Sequence, residues 1–268
     1  MNIFGVQSKV LVGLLVGTFA VHVVADDAGD DLIKKLQNPI ASLISVPIKL
    51  NWDTGIGSTD ADRYTLLMQP VVPVSLNENT NVIIRTIFPI IKAESPISGR
   101  DDESGLGDIL QSFFFSPKAP TASGWIWGAG PVLLYPSASN NAVGGEKWGA
   151  GPTVVLLKQD SGWTYGALAN HVWSFAGDDK RADVSATFMQ PFLSYNTKTF
   201  TTFGINTEST YDWKVNKWTV PINLTVAQLV KFGNQPVNFQ FGVRAYAERP
   251  EGGPDWGLTF QTTFLFPK

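Results

Sequence analysis

Val237-Asn238-Phe239-Gln240-Phe241-Gly242-Val243-Arg244-Ala245-Tyr246-Ala247-Glu248 repeats with period two, and its reading decides the fold. Val237, Phe239, Phe241, Val243 and Ala245 fall on one face of a strand; Asn238, Gln240, Gly242, Arg244, Tyr246 and Glu248 fall on the other. One face suits hydrocarbon and the other suits water. A soluble barrel has the same period with its facing inverted, so alternation alone does not choose between the two environments.

Working outward, the segment after it carries Leu258, Phe260, Thr262, Phe264 and Phe266 on one face and Gly257, Thr259, Gln261, Thr263 and Leu265 on the other. A terminal aromatic strand of this kind resembles the signal read by the outer-membrane assembly machinery, here followed by Pro267 and Lys268. Toward the N-terminus the same reading gives twelve segments in all: 42–52, 63–76, 81–92, 107–116, 124–135, 147–158, 163–175, 183–195, 199–211, 217–231, 236–248 and 256–266. Most are about ten to fifteen residues long, whereas globular strands average about five or six and a tilted strand needs about nine to eleven to cross a bilayer. Helical periodicity stands out only at 31–37, where Leu32, Ile33 and Leu36 accompany Lys34 and Lys35 before Asn38-Pro39 stops the helix. The chain is predicted to be all-β: a transmembrane antiparallel β-barrel of about twelve strands with a short N-terminal helical segment.

Loop lengths support the membrane. Outer-membrane barrels place short turns on the periplasmic side and longer loops outside. The second, sixth, eighth and tenth connections are compact (Asn77 to Thr80, Gln159 to Gly162, Asn196 to Lys198, Phe232 to Gln235), and the fourth, Pro117 to Ser123, is less tight. Odd connections are mostly longer and more charged, as in Ala93 to Leu106, Pro136 to Glu146 and Gly177 to Ala182. Trp52, Trp127, Trp148, Trp163, Trp173, Trp213, Trp218 and Trp256 fall near segment ends, where an indole suits the membrane interface. Pro70, Pro73, Pro89, Pro131, Pro152, Pro191 and Pro221 lie inside segments; two belong to a repeat, Trp127-Gly128-Ala129-Gly130-Pro131 and Trp148-Gly149-Ala150-Gly151-Pro152. Proline cannot donate to a ladder, so bulges or kinks are expected there.

Lys9, the apolar run Val10 to Val24 and Ala25 before an acidic cluster read as a secretory signal peptide cleaved after about Ala25. The expected organisation is therefore 1–25 signal peptide, 26–40 N-terminal helical or plug segment and 41–268 outer-membrane barrel, in the outer membrane of a Gram-negative cell. Removing 1–25 takes out one basic residue and no acidic one, making the remainder one unit more negative than the net −3 of the whole chain. Nothing in that balance points to nucleic acid.

The chain has no cysteine, and beyond the leader one histidine, His171, which excludes thiol chemistry and any His-rich metal site. A lipase-like nucleophile needs His and Ser two apart on one strand face; His171 and Ser174 are three apart, on opposite faces. Asp101, Asp102, Glu103 and Asp108 lack calcium-loop spacing. No cofactor is expected. Parity instead places Lys49, Gln69, Arg85, Asp108, Gln190, Glu208, Asn223, Gln240, Arg244, Tyr246 and Glu248 as candidate lumen-lining residues, with Phe188, Phe192, Leu67 and Val71 as apolar neighbours. Such a lining either contacts a passing solute or consists of salt bridges that satisfy one another.

Gln37-Asn38-Pro39-Ile40-Ala41-Ser42-Leu43-Ile44-Ser45-Val46-Pro47, Gly105-Leu106-Gly107-Asp108-Ile109, Phe115-Ser116-Pro117, the Trp-Gly-Ala-Gly-Pro repeat, Trp173 to Asp178, Gln190-Pro191-Phe192 and the ending Phe264 to Lys268 occur in that order. Together they resemble the outer-membrane transporter family associated with the meta-pathway of phenol degradation. The resemblance implies location and barrel architecture, and carries no catalytic residues. The expected function is passive uptake of small, aromatic or hydrophobic solutes, with outer-membrane lipid, a small solute and the assembly machinery as partners. The alternatives are a structural or adhesive barrel with a closed lumen and, less favoured, a lipid-modifying enzyme.

Overall fold

A computed structural model describes residues 27–267; the expected leader lies outside them. The helix α1 (Asp27–Gln37) precedes fifteen strand segments: β1 (Ile44–Ile56), β2 (Ala61–Met68), β3 (Val71–Ser75), β4 (Thr80–Ala93), β5 (Glu103–Leu106), β6 (Ile109–Pro117), β7 (Trp125–Tyr135), β8 (Lys147–Asp160), β9 (Trp163–Gly177), β10 (Ser185–Asn196), β11 (Thr201–Thr207), β12 (Ser209–Asp212), β13 (Lys217–Phe232), β14 (Gln235–Glu248) and β15 (Trp256–Phe266). Three pairs, β2/β3, β5/β6 and β11/β12, are halves of one stave, which gives twelve antiparallel staves. The sheet closes because β1 pairs with β15 from Ile44↔Phe266 to Thr54↔Trp256, so no edge remains to be solvated.

Facing follows the period-two pattern with membrane polarity. Phe241 is 48% and Phe260 49% exposed on the outer wall, while Lys49 and Arg244 are 8% and 7% exposed inside. Leu50, Val154, Leu156, Phe203, Leu224 and Val226 continue the apolar outer belt; Asn51, Asn223, Asn238, Thr259 and Thr263 are buried within. A soluble barrel would bury the first set.

The outer wall carries two aromatic girdles. At the end with the short turns, Trp125 meets Tyr165 and Trp163 meets Tyr195. At the other end Trp52 lies against Tyr64 and Trp256, Tyr135 against Trp148, and Trp213 and Trp218 against Tyr211. Ser161-Gly162 between β8 and β9 is a two-residue turn whose φ angles of 49° and 85° are both left-handed, as a hairpin matched to strand twist requires. Connections 94–102, 136–146, 178–184 and 249–255 crowd the opposite end, although 57–60 and 213–216 there are short as well.

Some of the mid-strand prolines lie at the bulges expected of them and others do not. Pro131 and Pro152 face each other in an unshifted β7–β8 register, and Pro73, Pro89 and Pro191 each sit opposite a partner in register. Pro221 coincides with a shift, at Val220/Pro221, Pro89 lies where β4 changes register from Ile87↔Leu110 to Ile90↔Leu106, and Pro70 lies in the interruption between β2 and β3. At Pro73, Pro131, Pro152 and Pro191 the lost donor leaves a gap in the ladder without an extra residue. The glycines of the repeat explain how such gaps are tolerated: the carbonyl oxygens of Phe113 and His171 occupy the places where Gly130 and Gly151 would carry a Cβ. Strand-to-strand approach there needs glycine.

Candidate functional site

The site is the lumen. α1 runs four residues further toward the N-terminus than its apolar periodicity suggests, since Asp27-Ala28-Gly29-Asp30 carries no large apolar side chain to mark the first turn. Lys34 and Lys35 in the last turn complement the helix dipole, and Asp31 and Lys35 pair at 2.6 Å. Leu32 and Ile33 pack inward with Ala41, Leu43, Phe200, Leu229 and Leu265, at the end with the short turns. Asn38 turns the chain: its Oδ1 accepts from the Ile40 amide at 3.0 Å and its carbonyl from the Ala41 amide at 3.1 Å. Ile40 then enters a second apolar cluster with Ile83, Phe114, Val155, Leu157 and Leu168. The segment thus plugs one half of the lumen with dry contacts. Polar ties add to them: Ser194 Oγ donates to Gln37 Oε1 at 3.2 Å, and Gln159 Nε2 donates to the Lys34 carbonyl at 2.9 Å.

Beyond the plug lies a charged cluster contributed by three staves, β1, β11/β12 and β14. Lys49 Nζ is 2.5 Å from Glu208 Oε1, and Arg244 Nη1 is 3.2 Å from Glu208 Oε2. Arg244 Nε lies 3.1 Å from Asp53 Oδ1, an ion-pair distance outside hydrogen-bonding geometry. Tyr246 Oη donates to Asp53 at 2.7 Å and accepts from Arg244 Nη2 at 3.1 Å. Glu208 sits in the interruption between β11 and β12, flanked by Pro191 and Pro221 on the neighbouring staves, neither of which donates to the ladder. Separately, Arg85 Nη2 donates to Gln69 Oε1 at 2.5 Å, and Asn223 Nδ2 donates to Asn206 Oδ1 at 2.8 Å.

Between plug and cluster is a cavity of about 240 Å³. Its floor is Lys35 to Asn38; Lys49, Gln69, Arg85, Glu208, Gln190 and Gln240 line its polar side, and Val71, Leu168 and Phe192 its apolar side. The other sequence candidates lie elsewhere. Asn223, Arg244 and Tyr246 support the wall around the cavity. Asp108 anchors the 136–146 connection, its carboxylate accepting the amides of Ala138 at 3.2 Å and Gly145 at 2.6 Å. Glu248 is exposed near the rim. Asp53 and Gln261 are additions that sequence parity offers: Asp53 shares the face of Lys49 and Asn51, and Gln261 that of Thr259 and Thr263.

At the loop end, Lys147 and Lys214 approach Asp183 at 3.3 and 3.4 Å. Their hydrogen bonds and positive charge hold the Asp183 carboxyl below the usual aspartate range. Ser174 donates to Asp183 at 3.3 Å, while His171 Nδ1 meets Thr187 Oγ1 at 2.7 Å, so no His–Ser pair forms. Among the described residues no group of acidic and histidine side chains is arranged to hold a metal.

No family model matches the chain, and no curated protein does. Solved structures do. An outer-membrane channel from Pseudomonas putida F1 is similar with a TM-score of 0.64 at 15% identity, covering 84% of this chain and 96% of that one. The NanC porin is similar at 0.50 and 10% identity, over 83% and 100%. Outer-membrane phospholipase A from Escherichia coli reaches 0.48 at 9% identity, over 82% and 92%. The likeness is one of fold, and it places this chain in the architectural class of the twelve-stranded outer-membrane barrels.

Proposed function

We propose that this protein is a channel of the Gram-negative outer membrane that passes small solutes passively, with its short-turn end in the periplasm. The observation that carries the reading is a closed barrel with an apolar outer belt that keeps a polar cavity of about 240 Å³ in its lumen. The similarity to the Pseudomonas putida channel supports the same class of function. Signal-peptide cleavage after about Ala25, delivery by the outer-membrane assembly machinery and a barrel from about residue 41 onward belong to this reading, as does a lining drawn from Lys49, Gln69, Arg85, Gln190, Glu208 and Gln240. The apolar side of the cavity favours solutes with an aromatic or hydrophobic body, in keeping with the resemblance to transporters of aromatic-degradation pathways. No enzymatic step is invoked.

One observation favours a second reading, a structural barrel that conducts nothing: the N-terminal segment fills the short-turn half of the lumen. Planar-bilayer conductance and liposome flux of the protein, with and without residues 26–40, separate the two. The channel reading expects flux that rises on removal of the segment. Absence of flux in both forms would sink it.

A further inference from the structure

We infer that the lumen cavity is a binding site for a small monocarboxylate with an apolar body, a molecule of the shape of benzoate, held through its carboxylate by Arg85. The inference deepens the channel reading and rests on it for the route by which such a solute arrives.

The argument begins with charge. Lys49, Arg85 and Arg244 bring three cations into the lumen cluster; Asp53 and Glu208 bring two carboxylates. Glu208 is shared by Lys49 and Arg244, and Asp53 by Arg244 and Tyr246. Both acids are therefore committed. Arg85 hydrogen-bonds only the neutral Gln69 Oε1; Glu208 attracts it across the lumen, but among the described residues no carboxylate oxygen lies within 4.0 Å of it. A guanidinium offers five donors in a planar fork, of which Gln69 takes one. The remainder belong to a side chain lining the cavity. A charge enclosed in a protein wall is costly unless compensated, so one negative charge is the complement this lumen lacks.

Geometry restricts the rest of the ligand. Gln69 is buried in the interruption between β2 and β3, where its amide donates to the Pro47 carbonyl at 2.9 Å, so it fixes Arg85 from a rigid position. Val71, Leu168 and Phe192 supply an apolar wall to the same cavity. The volume equals about eight water molecules, enough for one small ring and too little for a drug-sized solute. A planar carboxylate matches the guanidinium fork, whereas a cation meets Lys49 and Arg85 with like charge. A neutral analogue leaves Arg85 as it was.

The test is calorimetric titration of detergent-purified protein with benzoate and with benzyl alcohol at constant ionic strength. Benzoate is expected to bind at least tenfold more tightly, Arg85→Gln to abolish that preference, and Arg85→Lys to keep part of it. Equal affinity for the two probes, or a preference unchanged in Arg85→Gln, overturns the proposal. Should Arg85→Gln fail to fold, as shown by loss of heat-modifiable migration, the wild-type comparison and Arg85→Lys decide alone. Flux of the same probes into liposomes separates this inference from the channel reading: preferential binding without flux removes the channel and leaves the site, while flux without preference removes the site and leaves the channel.

Discussion

Arg244 lies between two carboxylates and a phenol inside the wall, and its loss would leave Asp53 and Glu208 buried with less compensation than they now have. Removing one partner of a buried ionic group typically costs about 3–5 kcal/mol, so Arg244→Met should lower the unfolding midpoint in urea strongly. Adding Asp53→Asn should recover part of the loss, because it removes a charge that Arg244→Met strands. At the loop end the sign of the pH effect differs from that of a basic group. The lowered carboxyl of Asp183 contributes its ties to Lys147 and Lys214 fully above the ordinary aspartate value, and loses them as pH falls through the lowered one. A spin label at Asp179→Cys, clean because the chain has no other cysteine, should keep constant mobility down to about pH 4 and loosen below it. Asp183→Asn should be loose throughout.

At the scale of the element, α1 is held by three apolar side chains, Leu32, Ile33 and Leu36, and a handful of polar ties. Ile33→Lys would place a charge among Leu43, Phe200 and Leu265 and should expel the helix, raising single-channel conductance in planar bilayers severalfold while the barrel remains heat-modifiable. The strands were largely legible because lipid on one side and a polar lumen on the other impose period two along their whole length; Val237 to Tyr246 shows it in ten residues. The helix was legible only from Asp31 onward, since Asp27-Ala28-Gly29-Asp30 carries no large apolar side chain to mark a period. What prolines do was not legible: Pro131 skips a ladder bond and Pro221 accompanies a shift, a difference set by the partner strands Phe113 and Glu248 belong to. The pairing of Lys49 with Glu208, 159 residues apart, depends on barrel circumference and lay beyond the reach of parity, which offered only their common facing. Asp108 shares that parity yet serves a loop, because the stave is interrupted at Gly107-Asp108.

For the whole molecule, the two girdles place nearly all the indoles at two depths. Lipids brominated near the headgroup should quench tryptophan emission more than lipids brominated near the acyl terminus, and the reverse order would remove the barrel from the position in the bilayer assigned to it.

The seam between β1 and β15 carries a further implication for how the molecule is made. Leu265, on the inner face of the last strand, packs with Leu32 and Ile33 of the helix that leads into the first. The first and the last described elements therefore meet twice, once in the ladder and once against the plug. Because one stave both closes the ladder and covers the helix, docking of the helix and joining of the seam are expected to be coupled during assembly.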